Sequence, residues 1–308
     1  MKKEYNVLPV LGYSVICFML FPLFLSCEEE VQLELNDNEN QRIVVEGRLT
    51  NERKAQQVRI TRTISYFDSE LAPSVTDAQV YILEEGSGEQ FSLSLVNDSL
   101  GIYATSASIP GKVGETYLLR IIDGEDTYLA EAYLDTVPFI DSLTFEYQYL
   151  SYFGFSFGIY MLKISAYEPP PEGQYYRIDI YINDTLYTDE MAESVYMSDF
   201  QINDMYLPEV EIYGIPQERI HLDSNTIRIE MFSISEEELK FIGDFLTESY
   251  GNGSIFSGPP ANIQSNIENS TGGLDGLGFF GASAKSSIEA TLYKAHNDST
   301  NNPYMEVD

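Results

Sequence analysis

Gln57-Val58-Arg59-Ile60-Thr61-Arg62-Thr63-Ile64 alternates with a period of two. Val58, Ile60 and Ile64 fall on one side and Gln57, Arg59, Thr61 and Thr63 on the other, as in a strand with one wet face. Runs of the same kind lie on either side of it. Arg42 to Thr50 precedes it, and Ala78 to Leu83, Phe91 to Val96, Gly114 to Ile122 and Tyr128 to Leu134 follow. The last two flank Asp123-Gly124, a dipeptide suited to a tight hairpin. Six or seven strands in about 95 residues, with no helical period, predict a β-sandwich of immunoglobulin-like or transthyretin-like type over residues 42–138.

A second β-rich domain is expected over residues 139–295. Ser142 to Tyr149 and Phe153 to Ala166 read as paired strands, Tyr175 to Asn183 alternates again, and Thr226 to Phe232 is a further strand. Asp184 to Leu222 is acidic and Tyr-rich without a period, and is expected to be loop. One helix is predicted over residues 236–250. Ser235 and Glu238 fit a capping box, and three consecutive glutamates favour the positive end of the helix dipole. Leu239, Ile242, Phe245, Leu246 and Tyr250 then recur at helical spacing, which predicts a buried stripe. Gly251 and Gly253 end it. Phe279 to Ala284 and Ser287 to Tyr293 read as closing strands, and residues 296–308 as a polar tail.

The chain has 308 residues, of which 49 are Asp or Glu and 17 are Lys or Arg, a net charge of -32. That balance opposes binding to nucleic acid, and docking on anionic lipid by charge alone. His221 and His296 are the two histidines, too few to suggest a His-based triad or a zinc site. The 23 Tyr and 17 Phe, with no Trp, suit β-structure.

Lys2 and Lys3 precede an apolar stretch from Val7 to Leu25, the form of a secretory signal. The stretch ends Phe24-Leu25-Ser26-Cys27, which resembles the bacterial lipobox, in which the Cys thiol is acylated and becomes the first residue. Phe24 stands where that pattern usually has Leu. Residues 1–26 are therefore expected to be a lipoprotein signal peptide, Cys27 the lipidation site, and residues 27–41 an acidic tether. An uncleaved anchor helix is the other reading. Removal of residues 1–26 would also remove Cys17, the only other cysteine, so no intrachain disulfide is expected.

Val44-Val45-Glu46-Gly47-Arg48-Leu49-Thr50 behind such a leader resembles the opening of a Bacteroidetes lipoprotein family known as domain of unknown function 4249. Ile60-Thr61-Arg62-Thr63 with Tyr66-Phe67, Asp77-Ala78-Gln79-Val80, Gly173-Gln174-Tyr175-Tyr176-Arg177, and Pro260-Ala261-Asn262-Ile263 leading to Gly278-Phe279-Phe280-Gly281-Ala282-Ser283 fit it in order. The resemblance covers residues 20–293. It implies an outer-membrane lipoprotein encoded beside TonB-dependent receptors. It brings no catalytic residues. Glu28-Glu29-Glu30 after Cys27 resembles the acidic start of such lipoproteins that face the cell exterior.

Gly276-Leu277-Gly278-Phe279-Phe280-Gly281 matches G-x-G-x-x-G, yet a dinucleotide site needs a strand before it and a helix after it. Here the order is loop, then strand, so the glycines are expected to serve the backbone. Ser283, Lys285 and Ser286 lack the spacing of a Ser-Lys nucleophile. Asp123-Gly124-Glu125-Asp126 and residues 199–204 are acidic turns that could hold Ca²⁺, though neither follows an EF-hand pattern. Ser99, Thr136, Ser142 and Thr185 sit in Asp-Ser/Thr-apolar tripeptides that resemble bacterial O-glycosylation acceptors. Tyr147, Tyr149, Tyr152, Phe153, Phe155, Phe157 and Tyr160 crowd one stretch. Either its Phe face lies in the core, or Tyr147, Tyr149, Tyr152 and Tyr160 form a contact surface for a partner.

The reading that follows is a non-enzymatic, surface-exposed accessory or binding lipoprotein of a TonB-dependent transport system. Its expected partners are the receptor and an extracellular peptide or glycan. The sequence assigns it no cofactor, metal or catalytic residue. The alternative is a carboxylate-dependent surface hydrolase, a glycosidase or peptidase.

Overall fold

The structure, a computed structural model, describes residues 41–64, 71–152, 155–251 and 263–295, with the side chains of 151, 152, 155, 156 and 251 excepted. The leader, Cys27, the tether and the tail from residue 296 lie outside the described residues, as do Tyr66 and Phe67. The elements follow one another as β1 (Ile43–Thr50), β2 (Gln57–Arg62), β3 (Gln79–Glu84), β4 (Glu89–Asn97), β5 (Ile102–Thr105), β6 (Thr116–Asp123) and β7 (Asp126–Tyr133). Then come β8 (Phe139–Tyr152), β9 (Phe155–Glu168), β10 (Tyr175–Ile182), β11 (Thr185–Leu186), β12 (Val195–Ser198), β13 (Met205–Pro216) and β14 (Ser224–Ile234). The helix α1 (Glu236–Gly251) is followed by β15 (Glu268–Asn269), β16 (Leu277–Ser283) and β17 (Lys285–Tyr293). The fold is mainly β and sandwich-like.

The first sheet has nine strands in the order β15-β7-β6-β3-β4-β5-β2-β1-β16. The stretch at residues 57–62 points Val58 and Ile60 into its core, where both are buried. Tyr103, Tyr117, Leu119, Ile121 and Phe280 fill the same core. The sheet curls until its ends approach: Asn266 Nδ2 donates to the Phe280 carbonyl at 2.8 Å and to the Glu131 carbonyl at 3.3 Å, bridging β16 and β7. Burial and the adjacent Glu84 carboxylate push the Tyr117 phenol up to about 12. The Tyr117 hydroxyl donates to Glu84 at 3.1 Å, and the Lys112 ammonium closes the cluster at 2.5 Å.

Two expectations are corrected here. The boundary expected at residue 138 is crossed, because β15 and β16 come from the second region and complete the first sheet. The join is a parallel pairing of β1 with β16, from Val44 opposite Leu277 to Thr50 opposite Ser283. No local pattern encodes a pairing between segments so far apart in the chain. The expected loop at residues 184–222 contains the twelve-residue strand β13. β13 is an edge strand with shifts of register between Leu207 and Val210 and between Glu211 and Tyr213. Its bulges, and Pro208 within it, break the period that would have marked it.

β13 joins β9 and β8 in a three-stranded sheet, and β11, β10, β14 and β17 form a third, with β12 on β10. Their core holds Tyr160, Leu162, Ile178, Ile180, Ile227 and Ile229. At its margin Glu168 is buried, and it accepts a hydrogen bond from the Tyr176 hydroxyl. Burial raises the Glu168 carboxyl above its ordinary range, and the nearby Asp199 adds to this, although the Tyr176 bond opposes it. A carboxyl raised in the folded state favours folding at low pH, and that contribution is lost as pH rises through the folded value. Glu168→Gln keeps an acceptor for Tyr176 without the charge. The variant is expected to melt at or above the wild-type temperature at pH 8. It should lose this advantage toward pH 4. Thermal melts across that range test it, and a variant less stable at pH 8 than at pH 4, relative to wild type, would refute the assignment.

Candidate functional site

Alternation along three strands and one helix face builds a cavity of about 730 Å³ outside the first core. On β1, Ile43, Val45 and Leu49 point inward, so Val44, Glu46 and Arg48 point outward. On β16, Phe280 and Ala282 point inward, so Leu277 and Phe279 face outward. On β10, Tyr176, Ile178 and Ile180 are buried, which turns Arg177 to the other side. α1 contributes Phe241, Ile242 and Phe245 to the wall, and Tyr196 and Met191 also line it. Such a site is concave and chiefly apolar, with a few charged groups, the usual form of a small-molecule pocket.

The glycines of the Gly276–Gly281 stretch serve this construction. Gly278 has φ 92°, and an added Cβ would fall on the Val45 carbonyl oxygen across the parallel pair. At Gly281 an added Cβ would lie 2.8 Å from Glu238 Oε2, so its absence lets α1 approach β16. Phe279 then meets Phe241 with ring centroids 5.4 Å apart.

Glu238 departs from the expected capping box. Its backbone N–H donates to Ser235 Oγ at 3.1 Å, so half of the box forms. Its carboxylate is buried and pairs with Arg48 instead of returning to the cap. Arg48 Nη1 also donates to Ser283 Oγ at 2.5 Å. The expected helical stripe is only partly buried: Ile242 is 4% exposed, whereas Phe245 is 38% and Tyr250 66% exposed. The first turns of α1 rest against β16, while Phe245 borders the cavity.

Arg177 donates from Nη2 to Asp179 Oδ2 at 2.9 Å, and its guanidinium lies 5.0 Å over the Phe232 ring. Its Nε–H is buried and has no acceptor among the described residues. Burial raises the neighbouring Tyr196 phenol, although the Arg177 charge opposes this. On the open side Glu46 pairs with Arg59 at 3.4 Å.

The aromatic stretch divides differently from either expectation. Tyr160 is 2% exposed and its hydroxyl accepts the Ala295 N–H at 2.7 Å, so it belongs to the core and cannot serve as a contact. Tyr147 packs on it at 5.2 Å and donates to Gln217 Oε1 at 2.9 Å. Tyr149 is 65% exposed, while the Tyr152 side chain lies outside the described ones. Phe157 is exposed and stands opposite Leu150, so this phenylalanine is not a core residue. Gly158 lies beneath the Tyr147 hydroxyl, where a Cβ would not fit, so the strand is covered there.

The acidic turns find protein partners. Asp123 pairs with Arg62 at 2.5 Å, and Asp126 accepts from Asn269 Nδ2 and Thr271 Oγ1, each at 3.1 Å. Asp199 accepts the Gly173 N–H at 2.8 Å. Among the described residues no group of three or more His, Cys, Asp or Glu is placed to hold a metal ion. Lys285 bridges Glu52 at 2.9 Å and Glu230 at 2.8 Å, while Ser283 is buried. Of the Asp-Ser/Thr-apolar sites, Ser99 and Thr185 are exposed, and Thr136 and Ser142 are partly buried. Among the described residues no helix is long and apolar enough to cross a membrane.

The cavity escaped the sequence reading. Outward positions on β1 and β10 could have flagged Arg48 and Arg177, since cations are few in this chain. That both line one cavity depends on the pairing of β1 with β16 and on the seat of α1.

A search of curated proteins found no match. The family model described as "Domain of unknown function (DUF4249)" matches residues 28–289, nearly the whole of the described fold, and the chain therefore belongs to that family.

Proposed function

We propose that the protein is a lipid-anchored binding protein of the outer membrane, exposed at the cell surface, that works as a non-enzymatic accessory of a TonB-dependent transport system. The cavity between β1, β16 and α1 would be where it holds its ligand. That cavity carries the reading: aromatic and aliphatic walls with a few charged groups suit capture of a small molecule. The anchor rests on the leader ending Ser26-Cys27. Tyr149, exposed on β8, is the residue of the expected contact surface that a receptor could meet.

Cys27→Ala is expected to abolish acylation and leave a precursor without lipid. Metabolic labelling with an alkyne fatty acid tests this. Equal labelling of variant and wild type would remove the lipoprotein reading. Copurification from detergent-solubilised outer membranes tests the receptor role separately, with a receptor expected in the wild-type eluate.

A further inference from the structure

We propose that the cavity selects a small organic anion with an apolar body, an aromatic or aliphatic carboxylate, held by Arg177. This rests on the reading of the cavity as a ligand site and adds the chemistry of the ligand.

The charges on the cavity wall are not equivalent. Glu238 and Arg48 neutralise one another, and Glu46 is matched by Arg59. Arg177 differs. Among the described residues its ion pair is with Asp179 through one terminal nitrogen, and its buried Nε–H has no acceptor. A buried donor without a partner is costly, and an occupant of the cavity meets it when the side chain, 22% exposed at the cavity wall, turns that edge inward. A carboxylate is the acceptor that matches a guanidinium edge in geometry and charge. Phe241, Phe245 and Phe279 offer apolar surface for the rest of the molecule. A wall of that kind lowers the local dielectric and strengthens the ionic contact. The net charge of -32 does not prevent this, because distant charges are screened beyond about 8 Å at physiological ionic strength.

The absence of tryptophan from the chain provides the assay. Phe245→Trp in the full-length protein places a single reporter in the lining. It is titrated with 2-naphthoate and with its uncharged isostere 2-naphthamide, against a detergent blank. Naphthoate is expected to bind about tenfold more tightly, the scale of one charge-assisted hydrogen bond. Adding Arg177→Gln should bring naphthoate down to the affinity of naphthamide and leave naphthamide unchanged, which shows that the variant is folded. Equal affinity for the two probes, with no effect of Arg177→Gln, would overturn the anion assignment while leaving the cavity a ligand site. No response to either probe, with an unaltered circular dichroism spectrum, would overturn both.

Discussion

Gly278→Ala is expected to destabilise the protein by about 3 kcal/mol, which lowers the melting temperature by roughly 6–12 °C for a chain of this size. Two effects combine. The residue has φ 92°, a conformation that side chains rarely adopt. Its Cβ would also collide with the Val45 carbonyl oxygen, so β1 and β16 could not keep their parallel register. Gly124→Ala is the control. Gly124 has φ 61°, with nothing among the described residues within 4 Å of an added Cβ, and it should cost only about 1 kcal/mol. The difference between the two melts isolates the collision. If both variants melt together, the close approach of the strands is not what requires Gly278. The same change would disturb the cavity, because Leu277 and Phe279 flank this glycine on the lining strand.

Removing Arg48 should have an effect of similar size for an electrostatic reason. Arg48→Met leaves the Glu238 carboxylate buried without its cation. The side chain of Glu238 is 4% exposed and that of Arg48 24%. Breaking a buried pair from one side costs about 3–5 kcal/mol, and contact of Arg48 with water puts this pair near the lower end. Glu238→Gln is expected to be milder, about 1 kcal/mol, because the guanidinium keeps Ser283 and solvent. Denaturant titration of the two variants measures the asymmetry. A greater loss from Glu238→Gln than from Arg48→Met would mean that burial of the carboxylate is not the dominant cost. Both changes act where α1 meets β1 and β16, so they should loosen the cavity before the distant β8–β9 hairpin.

The local patterns were legible because they follow from the period of the backbone. Val58 and Ile60 on one side of residues 57–62 specify a half-buried strand wherever the strand is placed. Ser235 before three glutamates marks the start of α1, and the Ser235 bond to the Glu238 N–H agrees with it. Asp123-Gly124 marks the hairpin, and Asp123 stands opposite Asp126 across it. β13 was not legible, because an edge strand with two bulges leaves no face constantly buried. The partner of Glu238 was not legible either. A glutamate at that position can return to its cap or reach another element, and only the approach of Arg48 decides between them.

By itself the sequence determined that this acidic chain forms many short strands and one capped helix, and it marked Cys27 as the residue to test for lipidation. Those features depend on side-chain period, turn chemistry and charge, which are properties of neighbouring residues. The tertiary structure alone decided that β16 returns to β1, that Tyr160 belongs to the core while Tyr149 is exposed, and that Arg48 and Arg177 share one cavity. These depend on which distant surfaces meet. In a β fold that choice is made by close approach, as at Gly278 and Gly281, which leaves no periodic trace in the chain.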